Sequence, residues 1–230
     1  MDLFFITLVD KKSTNKTLNL QKMLVPYTLG VLDTYDYELK NLSKIFKTYE
    51  YIVSRKDILE NDILCIVDGH DILFNNKFSK LDLIKDFTNA NVDMIISGES
   101  NFSHHCDTVK DFFEMNYKNK YRYLNSGVII CYKWAYVKFF KDIIDNFDKY
   151  KLCGNTSDQR IIGLYIKDKM QSNTLPIKVT IDDSGYFTNT ITTHWNGDLD
   201  KINSYFVHVT FLAHRKQNER YQYLLQKFLH

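Results

Sequence analysis

The chain has 230 residues, 44% hydrophobic and 25% charged, ordinary values for a globular protein and enough chain to bury a core without disulfide or metal staples. Lys+Arg 30 against Asp+Glu 28 leaves a formal net charge of +2, so there is no basic excess for a phosphate backbone and general nucleic-acid binding is excluded. No segment reaches the roughly 20 apolar residues of a membrane span, and the first apolar run has no basic region before it, as a secretion signal would.

Residues 3–9, Leu-Phe-Phe-Ile-Thr-Leu-Val, form an apolar run that suits a strand covered on both faces. Residues 11–25 are compatible with a helix, and 37–59 carry helical spacing at Leu39, Leu42, Ile45, Phe46 and Tyr49. A buried strand, Ile63 to Val67, then runs into Asp68-Gly69-His70-Asp71. Residues 81–90 read as a helix and 92–97 as another buried strand. Residues 98–122 read as a long functional loop with a helical piece around Val109–Met115. Tyr123 to Tyr132 reads as a strand with an Asn125-Ser126-Gly127 turn at its start. Helices are expected over 134–150 and 157–169, the latter capped by Ser157. Strands follow near 176–181, 190–194 and 205–211, and a last helix over 216–229 places Tyr221, Leu224, Leu225 and Phe228 on one face. That face fits either a core contact or a homodimer contact. Alternating strands and helices without a Pro/Gly linker give a single α/β domain, Rossmann-like, with a mainly parallel central sheet flanked by helices.

Cys65, Cys106, Cys131 and Cys153 form no Cys-x-x-Cys pair and read as reduced and mostly packed, in a cytoplasmic setting. The abundance of Lys, Asn, Ile and Tyr suggests an AT-rich coding genome; were that of a large virus, the setting would be the host cell. The chemistry concentrates at Asp68-Gly69-His70-Asp71. In an open α/β sheet, ligands bind beyond the carboxyl ends of the strands. Two carboxylates there repel unless a cation lies between them, and hard oxygen donors suit Mn²⁺ or Mg²⁺. Asp-x-x-Asp alone describes a solvated acidic turn equally well.

Taken in order, the motifs resemble those of GT-A type glycosyltransferases, above all the glycosyltransferase domain of collagen lysyl hydroxylases. That family's Val-Asp-Ser-Tyr-Asp is similar to Val67-Asp68-Gly69-His70-Asp71, and its Phe-Ser-Ala-Glu to Ile96-Ser97-Gly98-Glu99. Its Arg-Tyr/Phe-Leu-Asn-Ser-Gly matches Arg122-Tyr123-Leu124-Asn125-Ser126-Gly127, and its Asp-Asp-Gln matches as Asp158-Gln159. Its Asn-Gly-Ala-Leu-Asp-Glu-Val is similar to residues 196–202.

The resemblance implies a GT-A fold divided into a nucleotide-binding half, 1–97, and an acceptor-side half, 98–230. It implies transfer of a hexose, glucose or galactose, from a UDP-sugar to a hydroxyl on a protein or glycan acceptor. Asp68 and Asp71 would ligate Mn²⁺ (or Mg²⁺) with a late His, and His208 is favoured over His194, which lies upstream of the family's metal His. Asp158, Gln159 and Asn125 would face the sugar or acceptor, with Asp158 a base, a sugar clamp or a nucleophile. Thr7 and Val9 would hold the base, with His70 stacking where the family has Tyr. Lys44, 24 residues before Asp68, stands near the family's nucleotide-sugar lysine. The family's His-Gly-Asn-Gly is replaced after His208 by Val209-Thr210-Phe211, so Arg215 or Lys216 would supply charge to the diphosphate. The competing reading is a catalytically silent glycan- or protein-binding module on the same fold.

Overall fold

The computed structural model describes residues 1–10, 30–32, 42–103, 106–151, 157–211 and 214–229. The helix expected within 11–25 and Cys153 lie outside them.

In chain order the strands are β1 (Leu3–Ile6), β2 (Leu8–Asp10), β3 (Gly30–Leu32), β4 (Ile63–Val67), β5 (Ile72–Phe74), β6 (Met94–Glu99), β7 (Tyr123–Tyr132), β8 (Val179–Asp182), β9 (Thr188–Ile191) and β10 (Phe206–Val209). The helices are α1 (Ser43–Ser54), α2 (Lys80–Asn89), α3 (Asp107–Asn116), α4 (Lys133–Asp145), α5 (Phe147–Lys151), α6 (Asp158–Gln171) and α7 (Arg215–Leu229). The central sheet has the order β1-β4-β7-β6-β8. β1 pairs parallel with β4, and β6 with β8, while β7 runs antiparallel to both β4 and β6. The sheet is thus mainly parallel, with β7 the reversed strand. β2 and β3 form a separate parallel pair, because the first apolar run breaks at Thr7.

The continuous apolar runs follow from cover on both faces. Leu64, Ile66, Ile96 and Ile129 face one layer, where α1, α3, α4 and α6 pack. Ile63, Cys65, Ile95 and Ile130 face the other, with Leu83 and Phe87 of α2 and Phe206 of β10. The second sheet, β5-β10-β9, carries α7 on its outer side. Tyr221, Leu224, Leu225 and Phe228 are buried there against Val207, Val209 and Ile191, so the apolar face of the last helix makes a core contact. The helical piece expected around Val109–Met115 within the 98–122 segment is α3, which buries Val109, Phe112 and Phe113.

Asn125-Ser126-Gly127 differs from the turn its composition suggests. It lies inside β7, as a bulge. Ile96 pairs with Ile129 and Gly98 with Leu124, so Asn125 to Val128 on β7 face Ser97 alone on β6. The Ser97 hydroxyl replaces the lost ladder: it donates to Asn125 O at 2.7 Å and accepts from Val128 N at 3.2 Å. Such bulges re-aim side chains at sheet ends. Gly98 is required beside it, since a Cβ there would stand 2.0 Å from the Tyr121 carbonyl oxygen and 2.8 Å from that of Asp182. Both neighbours are backbone and cannot swing away. Gly98→Ala is therefore predicted to destabilise the protein by about 2–3 kcal/mol through overpacking. Urea denaturation would show it, and a change below about 0.5 kcal/mol would refute this account of the bulge.

Candidate functional site

Asp68 follows β4 directly, at the carboxyl end of the sheet. Its turn is held on two sides. Asp68 N donates to Gly127 O at 2.9 Å, and Val209 N donates to Asp71 O at 2.9 Å. Because β5 begins just after the turn and pairs with β10, with Ile72 opposite His208, the imidazole is drawn next to the acidic turn. His208 Nε2 lies 3.2 Å from Asp71 Oδ2. Ligand atoms of Asp68, Asp71 and His208 all fall within 4.8 Å of one another. His194 is exposed and stands outside this group.

Lys44 enters from α1. Its ammonium donates to Asp68 Oδ1 at 2.5 Å and to Ser126 O at 2.8 Å, and lies 3.7 Å from Asp158 Oδ2. Asp158 opens α6, where the helix dipole favours a carboxylate. Ser157 occupies the N-cap without a side-chain cap bond. Next in the chain, Gln159 accepts from Ser126 N at 3.3 Å and donates to Glu99 Oε1 at 2.8 Å. Asn125 Oδ1 accepts from Gly127 N at 2.9 Å and sits 3.0 Å from His208 Nδ1. Gly127 itself leaves room for the ring, since a Cβ there would stand 2.5 Å from His208 Nδ1 and Cε1.

Among the described residues the charges do not balance: Asp68, Asp71 and Asp158 face one fixed cation, Lys44. Two like charges within this span repel by about 3–4 kcal/mol at an effective dielectric near 20. Burial pushes the Asp68 carboxyl up, and the charge of Asp71 adds to that push while Lys44 opposes it. Burial works the other way on Lys44, but Asp68 and Asp158 outweigh it and hold its pKa above the ordinary value. Burial would raise Asp71 too, yet His208 outweighs it and the carboxyl falls below its usual range. Reciprocally, burial would lower His208, and Asp71 lifts it above 6.5. The side chains of Asp68 and Asp71 keep 36% and 24% exposure, so the cluster is open at its mouth. Two carboxylates and an imidazole, short of positive charge, fit a divalent cation such as Mn²⁺ or Mg²⁺.

The other expected residues are less defined. Thr7 is buried just after β1, and its hydroxyl has no hydrogen-bond partner among the described residues. Val9 lies on β2. His70 is exposed on the acidic turn and close enough to Asp71 to lower its pKa. Lys216 is exposed in the first turn of α7, and no described contact joins it to the cluster. Phe211, in place of glycine in the loop after His208, takes φ 61° and leaves its ring 57% exposed. Two buried groups carry no role in the sequence reading. Thr190 lies opposite His208, and its hydroxyl has no hydrogen-bond partner among the described residues. Glu99, 3% exposed, ends β6 as Asp68 ends off β4; a carboxylate closing an apolar strand is the signal that marks it.

Two solved structures share this fold. One is a glycosyltransferase involved in the glycosylation of the major capsid of PBCV-1, with 10% identity, 97% of this chain and 99% of that chain covered, and a TM-score of 0.56. The other is the galactosyltransferase LgtC in complex with donor and acceptor sugar analogs, with 15% identity, 99% and 96% coverage, and a TM-score of 0.57. At these identities the likeness is one of fold, that of the GT-A type glycosyltransferases. No family model and no curated protein matches the chain.

The His208–Asp71 pair makes the metal-free protein pH-sensitive with a definite sign. A folded-state pKa raised above 6.5 contributes stability that is present below 6.5 and lost as pH rises through the raised value. The melting temperature of the metal-free protein is predicted to fall across that interval, and His208→Asn to flatten the step. A step of equal size in the variant would place its origin elsewhere.

Proposed function

We propose that the protein is a glycosyltransferase that moves a hexose, glucose or galactose, from a UDP-sugar to a hydroxyl group on a protein or glycan, with Mn²⁺ or Mg²⁺ held by Asp68, Asp71 and His208. The observation that carries this reading is the under-neutralised cluster of Asp68, Asp71 and His208 at the carboxyl end of a sheet whose fold is that of glycosyltransferases. The choice of UDP and of hexose rests on the motif likeness to the lysyl hydroxylase glycosyltransferase domain.

A bound divalent cation would act as Lewis acid toward the charge developing on a departing diphosphate. The chain's own residues supply the rest. Lys44, already anchored on Asp68 and Asp158, places a second positive charge beside that diphosphate. Asn125 and Gln159 present amides fixed by the backbone N–H groups of Gly127 and Ser126, suited to orienting sugar hydroxyls. Asp158 sits at 7% exposure next to the ammonium, a negative charge available to an oxocarbenium-like sugar or to an acceptor hydroxyl. Residues 1–97 would provide the acidic turn, Lys44, Thr7, Val9 and His70 on the nucleotide side, and Lys216 would supply charge to the diphosphate. Residues 98–230 provide the acceptor side.

UDP release from a panel of UDP-sugars, with and without Mn²⁺, tests this. Metal-dependent release from one sugar is expected, reduced at least ~100-fold in Asp68→Ala/Asp71→Ala. Water is a poor acceptor, so a thermal shift with UDP and Mn²⁺ is measured alongside. The absence of both release and shift would overturn the proposal in favour of a silent binding module.

A further inference from the structure

The chain after β10 passes the acidic turn and then leaves the sheet in a costly conformation. Val209 N donates to Asp71 O at 2.9 Å, and Thr210 N to Ile191 O at 3.1 Å. Gln217 Nε2, from α7, donates to Ile191 O at 2.8 Å and to Thr210 O at 2.9 Å. The backbone is thus pinned on both sides as far as Thr210. At the next residue, Phe211, φ turns to 61°, and His214 N donates to Phe211 O at 2.9 Å, closing the turn. The Phe211 ring is 57% exposed. Among the described residues its ring neighbour is His214, itself exposed, with centroids 6.3 Å apart.

Neither property serves the fold. A left-handed backbone crowds the Cβ of every residue but glycine, and a bulky side chain there is an outlier. Burial of the ring would offset that strain, yet this ring stays largely in water. Glycine or asparagine would make the same turn at lower cost. Strain kept without a return in packing points to a functional position. Phe211 follows His208 by three residues, so their Cα atoms lie within about 11 Å even on an extended chain. The ring therefore belongs to the neighbourhood of the acidic cluster. A nucleobase would lie near Thr7 and Val9, after β1 and on β2, whereas Phe211 follows a strand of the second sheet. A sugar ring is the better partner. One face of a pyranose is lined with C–H groups, which the electron-rich face of an aromatic ring attracts. The hydroxyl-bearing side chain of a polypeptide has no such face.

We propose that Phe211 is a stacking platform for a pyranose ring of the acceptor, which makes the acceptor a glycan and not a polypeptide side chain. That this glycan is the acceptor rests on the function proposed above; that a pyranose binds at Phe211 does not.

The full chain, with carbon-13 in its phenylalanine rings and free of metal and nucleotide, is titrated with methyl glucosides, methyl galactosides and their disaccharides. Serine- and hydroxylysine-containing peptides are titrated separately. Phe211→Gly identifies the Phe211 ring signals by their loss. At least one glycoside is expected to shift those signals in the wild type. Its Kd should rise ~3–10-fold in Phe211→Gly, the range of an aromatic stacking contact, and recover in Phe211→Tyr, which keeps the ring. In the transfer assay the same glycoside should act as acceptor, with its KM raised by the same factor in Phe211→Gly. Phe211→Gly should also melt no lower than the wild type, because the strain it relieves offsets the freedom glycine adds to the unfolded chain. A clear fall in melting temperature would assign the ring to packing and overturn the proposal. So would Phe211 signals moved only by peptides, signals moved by neither set, or a glycoside affinity unchanged by loss of the ring. A wild type that binds a glycoside at Phe211 but gives neither UDP release nor a thermal shift with UDP and Mn²⁺ would overturn the assignment as acceptor and uphold the platform.

Discussion

The site depends on an unfavourable arrangement: carboxylates from the turn after β4 and from the start of α6, brought together with fewer fixed cations among the described residues than they need. Lys44 bridges Asp68 and Asp158, and His208 leans on Asp71. The opposite pKa directions of Asp68 and Asp71 follow from this shortage, since His208 relieves one more fully than Lys44 relieves the other. A protein bears such repulsion cheaply only where a ligand supplies the missing charge. The layered fold makes the arrangement rigid. The sheet order puts β4 beside β7, and the β5–β10 pairing carries His208 to the turn.

Much of this was legible in the sequence, for a physical reason. Strands covered on both faces must be apolar throughout, so Ile63–Val67 and Met94–Ile96 announce themselves, and a charged residue closing such a run lies at the sheet edge where ligands bind. Asp68 and Asp71 are candidates on that ground, although a solvated acidic turn would read the same. The amphipathic last helix was legible as a face but not as a contact; burial of Leu224 and Phe228 against β10 settles it. The direction of β7 was not legible, because a buried antiparallel strand has the same composition as a parallel one.

Asn125-Ser126-Gly127 shows where local chemistry misleads. These residues favour turns because their side chains bond the backbone and glycine tolerates any φ. Here the same properties serve a bulge: Ser97 supplies the missing ladder bonds, and Gly127 gives way to the His208 ring. Both are long-range demands, invisible in a local window. Glu99 is legible as a carboxylate closing an apolar strand, but its contacts come from Asn125 and Gln159, which reach it from β7 and α6. At 10% and 15% identity to the two glycosyltransferase structures, the likeness is one of fold alone.

The central claim is that the charge shortage at Asp68, Asp71 and His208 is met by a divalent cation. Crystals grown with Mn²⁺ and UDP, measured for anomalous scattering at the manganese edge, test it most directly. The account predicts one strong peak bonded to oxygens of Asp68 and Asp71 and to His208 Nε2. A peak bonded to other residues, or no peak in crystals that contain bound UDP, would contradict it.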